Sequence, residues 1–147
     1  MMDKIDDVMS VGCECIDEDE STLIAARKML HRGVGALPVR SGGDTLTGML
    51  TDRDLVLEVV AAGKDPATTT AGEVATGKPV RVAIGQPVEH ALELMRQHKI
   101  RRLPVVDDNG TIIGMVSLGD VATNLDRESS GALLQEISSR APAPVGH

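Results

Sequence analysis

One passage of this chain is written twice. Residues 33–56, GVGALPVRSGGDTLTGMLTDRDLV, align without a gap on residues 99–122, KIRRLPVVDDNGTIIGMVSLGDVA, at an offset of 66. Leu37/Leu103, Pro38/Pro104, Val39/Val105, Thr45/Thr111, Gly48/Gly114, Met49/Met115 and Asp54/Asp120 are identical pairs, and the offset extends back to Ala25/Ala91, Met29/Met95 and Val8/Val74. Repetition on this scale fixes the architecture before any local propensity does. A pocket on one copy is expected to have a counterpart on the other.

Repeats of this size are each marginal alone. A chain of 147 residues buries roughly 70% of its unfolded surface. The two copies therefore read as halves of one cooperative domain. The chain holds no Phe, Trp or Tyr, so a bound base would lie on aliphatic groups or on an Arg plane. Single-strand nucleic-acid binding normally uses aromatic platforms, and a net charge of −7 opposes both nucleic acid and an anionic membrane surface. The opening MMDKIDDVMS is acidic and lacks the apolar core of a signal peptide. No apolar run approaches the ~18–20 residues that span a bilayer. A cytoplasmic location is the resulting expectation.

Each copy reads as strand–helix–strand–strand–helix. Glu14-Cys15-Ile16 and Val80-Arg81-Val82 are short extended segments. Leu23, Ala26, Met29, Leu30 and Val34 fall at helical spacing in the first copy, and Val88, Ala91, Leu92, Met95 and Ile100 in the second. Pro87 suits the first helical turn, and Gly33 the position just past a helix end. Lys99 stands in the matching place, so that end must close differently or accept strain. Strands follow at Leu37-Pro38-Val39 and Leu103-Pro104-Val105-Val106, where proline belongs at a start or an edge. Ser41-Gly42-Gly43-Asp44 and Asp107-Asp108-Asn109-Gly110 are turns, the Asn-Gly pair favouring positive φ. Hairpin partners run over 46–50 and 112–116, and helices begin near Asp52 and Leu118. The first of these ends near Ala62, before Gly63 and Asp65-Pro66. Residues 64–72 read as the connector, and residues 128–147 as a fraying tail with a short helix over Ala132–Ile137.

The sharpest chemical signal is Thr51-Asp52-Arg53-Asp54 with its twin Ser117-Leu118-Gly119-Asp120. Each follows an apolar strand and opens a helix. One reading is a capping box, although that motif favours Glu or Gln over Asp at its fourth position. The other is a nucleotide site, with N–H groups and a hydroxyl for phosphate and an Asp for ribose hydroxyls.

The combination Gly33…Leu37-Pro38-Val39…Gly48-Met49-Leu50-Thr51-Asp52-Arg53-Asp54 resembles the CBS motif, named after cystathionine β-synthase. The resemblance covers residues 5–126. It implies an α/β fold of two tandem CBS motifs with pseudo-twofold symmetry, a Bateman module, with motif 1 over residues 1–66, motif 2 over 67–127 and the tail beyond. It further implies a non-catalytic sensor whose clefts between the motifs bind an adenosyl ligand: AMP, ADP, ATP, S-adenosylmethionine or an NAD-type molecule. No cofactor is required. By motif position Thr51 and Ser117 would contact phosphate, and Asp54 and Asp120 ribose. Ala36, Leu37, Arg102 and Leu103 would line the base pockets. Arg53 in the first copy, and Arg101 with Arg102 in the second, are candidate phosphate or base contacts. A homodimer through leftover apolar helix faces and an unidentified protein partner for the output are also implied. The alternative is a ligand-free scaffold or interaction module, with a stress or redox link.

Other chemistry finds little support. Cys13-x-Cys15 lacks the second ligand pair of a structural zinc site, and His31, His90, His98 and His147 show no ligand spacing. On a strand both thiols would face one side and pack as small apolar groups, with thiol sensing the minority reading. Glu18, Asp19 and Glu20 read as acids favouring a helix N-terminus. Met29 and Met95 read as core. No nucleophile–base pairing or phosphate-cradling G-x-x-x-x-G-K-[ST] loop is present, so an enzyme is not expected.

Overall fold

The structure, a computed structural model, describes residues 4–75 and 79–123. The helix expected over Ala132–Ile137 lies outside these residues. In chain order the elements are α1 (Ile5–Val8), β1 (Ser10–Val11), β2 (Ile16–Asp17), α2 (Thr22–Arg32), β3 (Ala36–Ser41) and β4 (Thr45–Thr51). Then come α3 (Asp52–Leu55), which runs on as a π-helical turn over Val56–Val60, and α4 (Ala71–Val74). The second copy supplies β5 (Val82–Ala83), α5 (Val88–His98), β6 (Arg102–Val106), β7 (Ile112–Ser117) and α6 (Leu118–Ala122). The fold is α/β with the expected order written twice. The described residues divide into two compact units: residues 14–75 form the first, and residues 80–123 together with 4–13 form the second.

In the first unit β3 is flanked by β2 in parallel and β4 antiparallel. The second repeats this with β5, β6 and β7, and adds β1 antiparallel on the far edge of β7. The register is the same in both. Ala36 faces Thr51 and Arg102 faces Ser117, and the pairing shifts by one residue after Val39 and after Val105. β2 reaches β3 only at Val39 and Arg40, and β5 reaches β6 only at Val105 and Val106. Pro38 and Pro104 therefore sit beyond the ends of those neighbours, at a local edge where a missing ladder donor costs little.

The helices bury one stripe each: Thr22, Ala25 and Met29 on α2, and Val88, Ala91 and Met95 on α5. This corrects the first-copy face read from apolar spacing, since Ala26 is exposed and Leu30 is 79% exposed. At about 100° per residue, those side chains lie a third of a turn away from the buried stripe. Thr22 is buried but satisfied: its hydroxyl donates to the Pro66 carbonyl at 3.0 Å and its N–H to Thr69 at 2.8 Å. Both Met29 and Met95 are core. α2 ends at Gly33 in the left-handed region (φ 64°), and α5 ends the same way at Lys99 (φ 55°). Lys99 thus accepts the strain that glycine avoids.

Several local expectations are corrected. The first strands begin later than read, at Ile16 and Val82, so Cys13 and Cys15 precede a strand rather than alternate along one. Cys15 is buried and Cys13 half-buried, both as thiols. Pro87 is the residue before α5, with extended backbone (φ −70°, ψ 150°), not the first helical one. The first turn of α2 holds no acid, because Ser21 takes the cap by accepting from the Ile24 N–H at 3.2 Å. Glu20 instead accepts from the Asp17 N–H at 3.0 Å. In the second hairpin positive φ falls on Gly110 and not on Asn109, because the Asp107 carboxylate accepts from the Asn109 and Thr111 N–H groups and shapes the turn itself. The end of the connector is structured: α4 starts at Ala71, and Thr70 and Glu73 form a complete capping box. No described helix is long and apolar enough to cross a membrane.

Each unit has its own aliphatic core. Ile16, Leu37, Val39, Leu50 and Val59 anchor the first, and Ile5, Val82, Leu103, Val105 and Val116 the second. β1 crosses β7 so closely that a Cβ on Gly114 would lie 2.3 Å from the Ser10 carbonyl oxygen. Backbone must then move to admit any side chain. Gly114→Ala is expected to destabilise the protein by about 1–3 kcal/mol, read as a lowered urea midpoint.

Candidate functional site

The motif residues gather at one end of each sheet. In the first unit the last residue of β4, Thr51, is also the residue before α3. The hairpin register holds Ala36 across from it, and antiparallel partners of this kind place their side chains on the same face. The Asp52 N–H donates to the Gly35 carbonyl at 2.9 Å, which ties the helix start to the entrance of β3. In the second unit Ser117 ends β7, faces Arg102, and the Leu118 N–H donates to Arg101 at 2.7 Å. The geometry is that of the first unit, shifted by 66 residues.

Both four-residue motifs form complete capping boxes. The Thr51 hydroxyl oxygen accepts from the Asp54 N–H at 3.1 Å, and the Asp54 Oδ2 accepts from the Thr51 N–H at 2.9 Å. The Ser117 and Asp120 distances are 3.0 Å and 3.2 Å. Asp therefore serves the capping role. The hydroxyls of Thr51 and Ser117 act as acceptors in these bonds, and their protons remain available to donate. Thr51, Asp54, Ser117 and Asp120 are all half-buried, which keeps them in reach of a solute.

The flanking residues divide by side chain. Leu37 and Leu103 project into the cores, so a ligand at this end would meet their backbone. Ala36 is half-buried, while Arg53, Arg101 and Arg102 are exposed. Gly35, which the motif reading did not single out, supplies the carbonyl that orients α3. Its signal was the offset itself, since it aligns with Arg101. The inner motif positions differ between units. Leu118 is a core residue and Gly119 is exposed, whereas Asp52 is half-buried and Arg53 exposed. Among the described residues no group of three or more His, Cys, Asp or Glu side chains is placed to hold a metal ion.

A repeated sheet with a proline in its central strand and a hydroxyl–acid pair at each following helix defines a class. The CBS-domain sequence profile matches residues 5–61 and 71–127. The chain belongs to the CBS-domain family, with two CBS domains in tandem. It is 37% identical over 133 residues to Hypoxic response protein 1 of Mycobacterium tuberculosis, covering 90% of this chain and 92% of that one. A crystal structure of Hypoxic Response Protein I with two coordinated zinc ions superposes with a TM-score of 0.78 at 38% identity, covering 84% of this chain and all of that one. A crystal structure of CBSX2 in complex with AMP superposes with a TM-score of 0.71 at 26% identity, covering 82% and 94%.

The boxes carry a stability consequence whatever binds. Removing the capping oxygen in Thr51→Val or Ser117→Ala is expected to cost about 1 kcal/mol each. The two losses should add in the double variant, since the sites lie in separate units. Chemical denaturation of the two single variants and the double variant measures both.

Proposed function

We propose that the protein is a non-catalytic sensor in which each CBS domain contributes a half-site for an adenosyl ligand, of the AMP, ADP, ATP, S-adenosylmethionine or NAD type. Thr51 and Ser117 would donate to phosphate, and Asp54 and Asp120 would accept from ribose hydroxyls. The backbone at Ala36, Leu37, Arg102 and Leu103 would meet the base, and Arg53, Arg101 and Arg102 would face phosphate or base.

One observation carries this reading. Among the described residues three helices start with a hydroxyl–acid capping box. The connector helix α4 uses Glu73, the residue that capping favours. The two helices that follow a sheet use the shorter Asp54 and Asp120, at identical positions. Capping alone gives no reason for Asp at those two and Glu at the third. A carboxylate one methylene shorter leaves room beside the hydroxyl for a solute. The AMP bound to a protein of the same fold supports the choice of ligand class.

The test separates cap from site. Asp54→Glu and Asp120→Glu keep a box of the Thr70–Glu73 kind, so stability should stay within about 0.5 kcal/mol of the parent. A ligand at 100 times its dissociation constant should stabilise the parent by about 2.7 kcal/mol. That gain, read as a melting shift, should vanish when both substitutions are made. If none of AMP, ADP, ATP, S-adenosylmethionine or NAD raises the melting temperature of the parent, the ligand-free scaffold reading takes its place.

The output needs a partner surface. Leu30, Val56, Leu57 and Val60 leave apolar side chains 79%, 56%, 47% and 73% exposed in the first unit. We propose that a second copy covers them in a homodimer, which in turn engages a protein partner. Val60→Glu should shift sedimentation towards monomer, and an unchanged dimer or an already monomeric parent would remove this part of the reading.

A further inference from the structure

The first unit carries a polar strap that the second lacks. The Arg40 Nε donates to Asp17 Oδ1 at 2.6 Å, and its Nη1 donates to Asp44 Oδ1 at 2.7 Å. The strap ties β2, β3 and the hairpin turn together, and the Asp17 hydrogen bond raises the guanidinium's pKa further. At an offset of 66 the three positions become Val106, Ala83 and Gly110. All three partners are lost together, and those residues line an open depression of about 390 Å³.

The rest of the lining changes in the same direction. Arg81, His90, Asp107 and Asp108 stand where the first unit has Cys15, Ile24, Ser41 and Gly42. Each replacement brings a chargeable group to a position that was apolar or small. Arg81 is exposed, and its Nη1 would lie 3.8 Å from a Cβ on Gly110, so the glycine leaves that guanidinium open. Asp107 is engaged by the turn through its Oδ1. Asp108 is exposed, and no ion pair joins it to Arg81 across the depression. The apolar part of the lining is Val82, Ala83 and Val106, and both valines are buried.

We propose that this depression binds a small zwitterion of the α-amino-acid type. Arg81 takes the carboxylate, for which its planar fork is a bidentate match. Asp108 takes the ammonium, and the side chain lies on Val82 and Val106. A plain anion would be repelled by Asp108 and a plain cation by Arg81. A molecule with both charges satisfies both groups, which no ion pair of the protein joins. The site is at the Val106 end of β6, about 13 Å along the strand from Arg102. It is separate from the adenosyl half-site and does not depend on it.

The experiment is an amide NMR titration of the full chain with the twenty L-amino acids, with acetate and methylammonium as single-charge probes. At least one amino acid should shift the amides of residues 81–83 and 107–110. Acetate and methylammonium should bind at least tenfold more weakly, a difference of about 1.4 kcal/mol. Arg81→Gln and Asp108→Asn should each weaken binding at least tenfold. The triple variant A83D/V106R/G110D rebuilds the strap in the second unit and should abolish binding. Asp44 holds φ 71° at the matching turn position, so aspartate is tolerated there. Should that variant misfold, R81Q decides, because it alters an exposed side chain with no hydrogen bond or ion pair to the described residues. No localised shift with any amino acid, acetate binding as tightly as the zwitterion, or unchanged binding in R81Q would each overturn the proposal.

Discussion

The antiparallel pairing of β3 with β4, and of β6 with β7, organises each unit. Because side chains alternate along a strand, a one-residue slip would send Leu37 and Leu103 out of their cores. The observed register buries them and sets Ala36 opposite Thr51 and Arg102 opposite Ser117. The helix after each hairpin then starts where its first N–H reaches the carbonyl just before the central strand, at Gly35 or Arg101. Core formation and site formation are thus one event. The bulges after Val39 and Val105 recur at matching positions, so the hairpins have the same local irregularity as well as the same pairing.

On this common frame the two units differ in chemistry. The backbone positions of the hydroxyl–acid pairs repeat to the residue, while the side chains around them do not. Leu118 fills a core position where the first unit places Asp52. At the other end of the sheet an ion-paired strap in one unit is replaced by valine, alanine and glycine in the other. Such a strap is partly exposed, and isolated surface pairs contribute little to stability. Its absence from the second unit is therefore tolerable, and the residues at its three positions there line a depression with different groups. Duplication supplied two equivalent scaffolds, and substitution gave each its own surface.

Much of this was legible in the residues. The offset of 66 located every major element, because aligned copies reveal which positions must share an environment. It paired Ala25 with Ala91 and Met29 with Met95, all four of which the structure buries, whereas helical spacing in the first copy set Ala26 and Leu30 beside Met29. Spacing misled because α2 carries two adjacent apolar stripes, Thr22–Ala25–Met29 and Leu23–Ala26–Leu30, a third of a turn apart. At Asn109-Gly110 the expected positive φ falls on the glycine alone, because the Asp107 side chain accepts from the Asn109 and Thr111 N–H groups. The capping boxes were one of two open readings, since Thr-x-x-Asp offers a cap and a ligand the same atoms.

What the sequence determined by itself is the duplicated α/β unit, the strand that carries a proline and the pairing of a hydroxyl with an acid three residues on. The first follows from the internal repeat at an offset of 66, and the others from residue patterns that act over short stretches of chain. Tertiary structure decided which helical stripe is buried, that the segment of residues 4–11 belongs to the unit of the second copy, and that Gly114 must admit its backbone. It also decided that Val106, Ala83 and Gly110, the counterparts of Arg40, Asp17 and Asp44, line a depression beside Arg81. Those outcomes depend on which distant segments meet, and the spacing of residues along the chain carries no direct record of that.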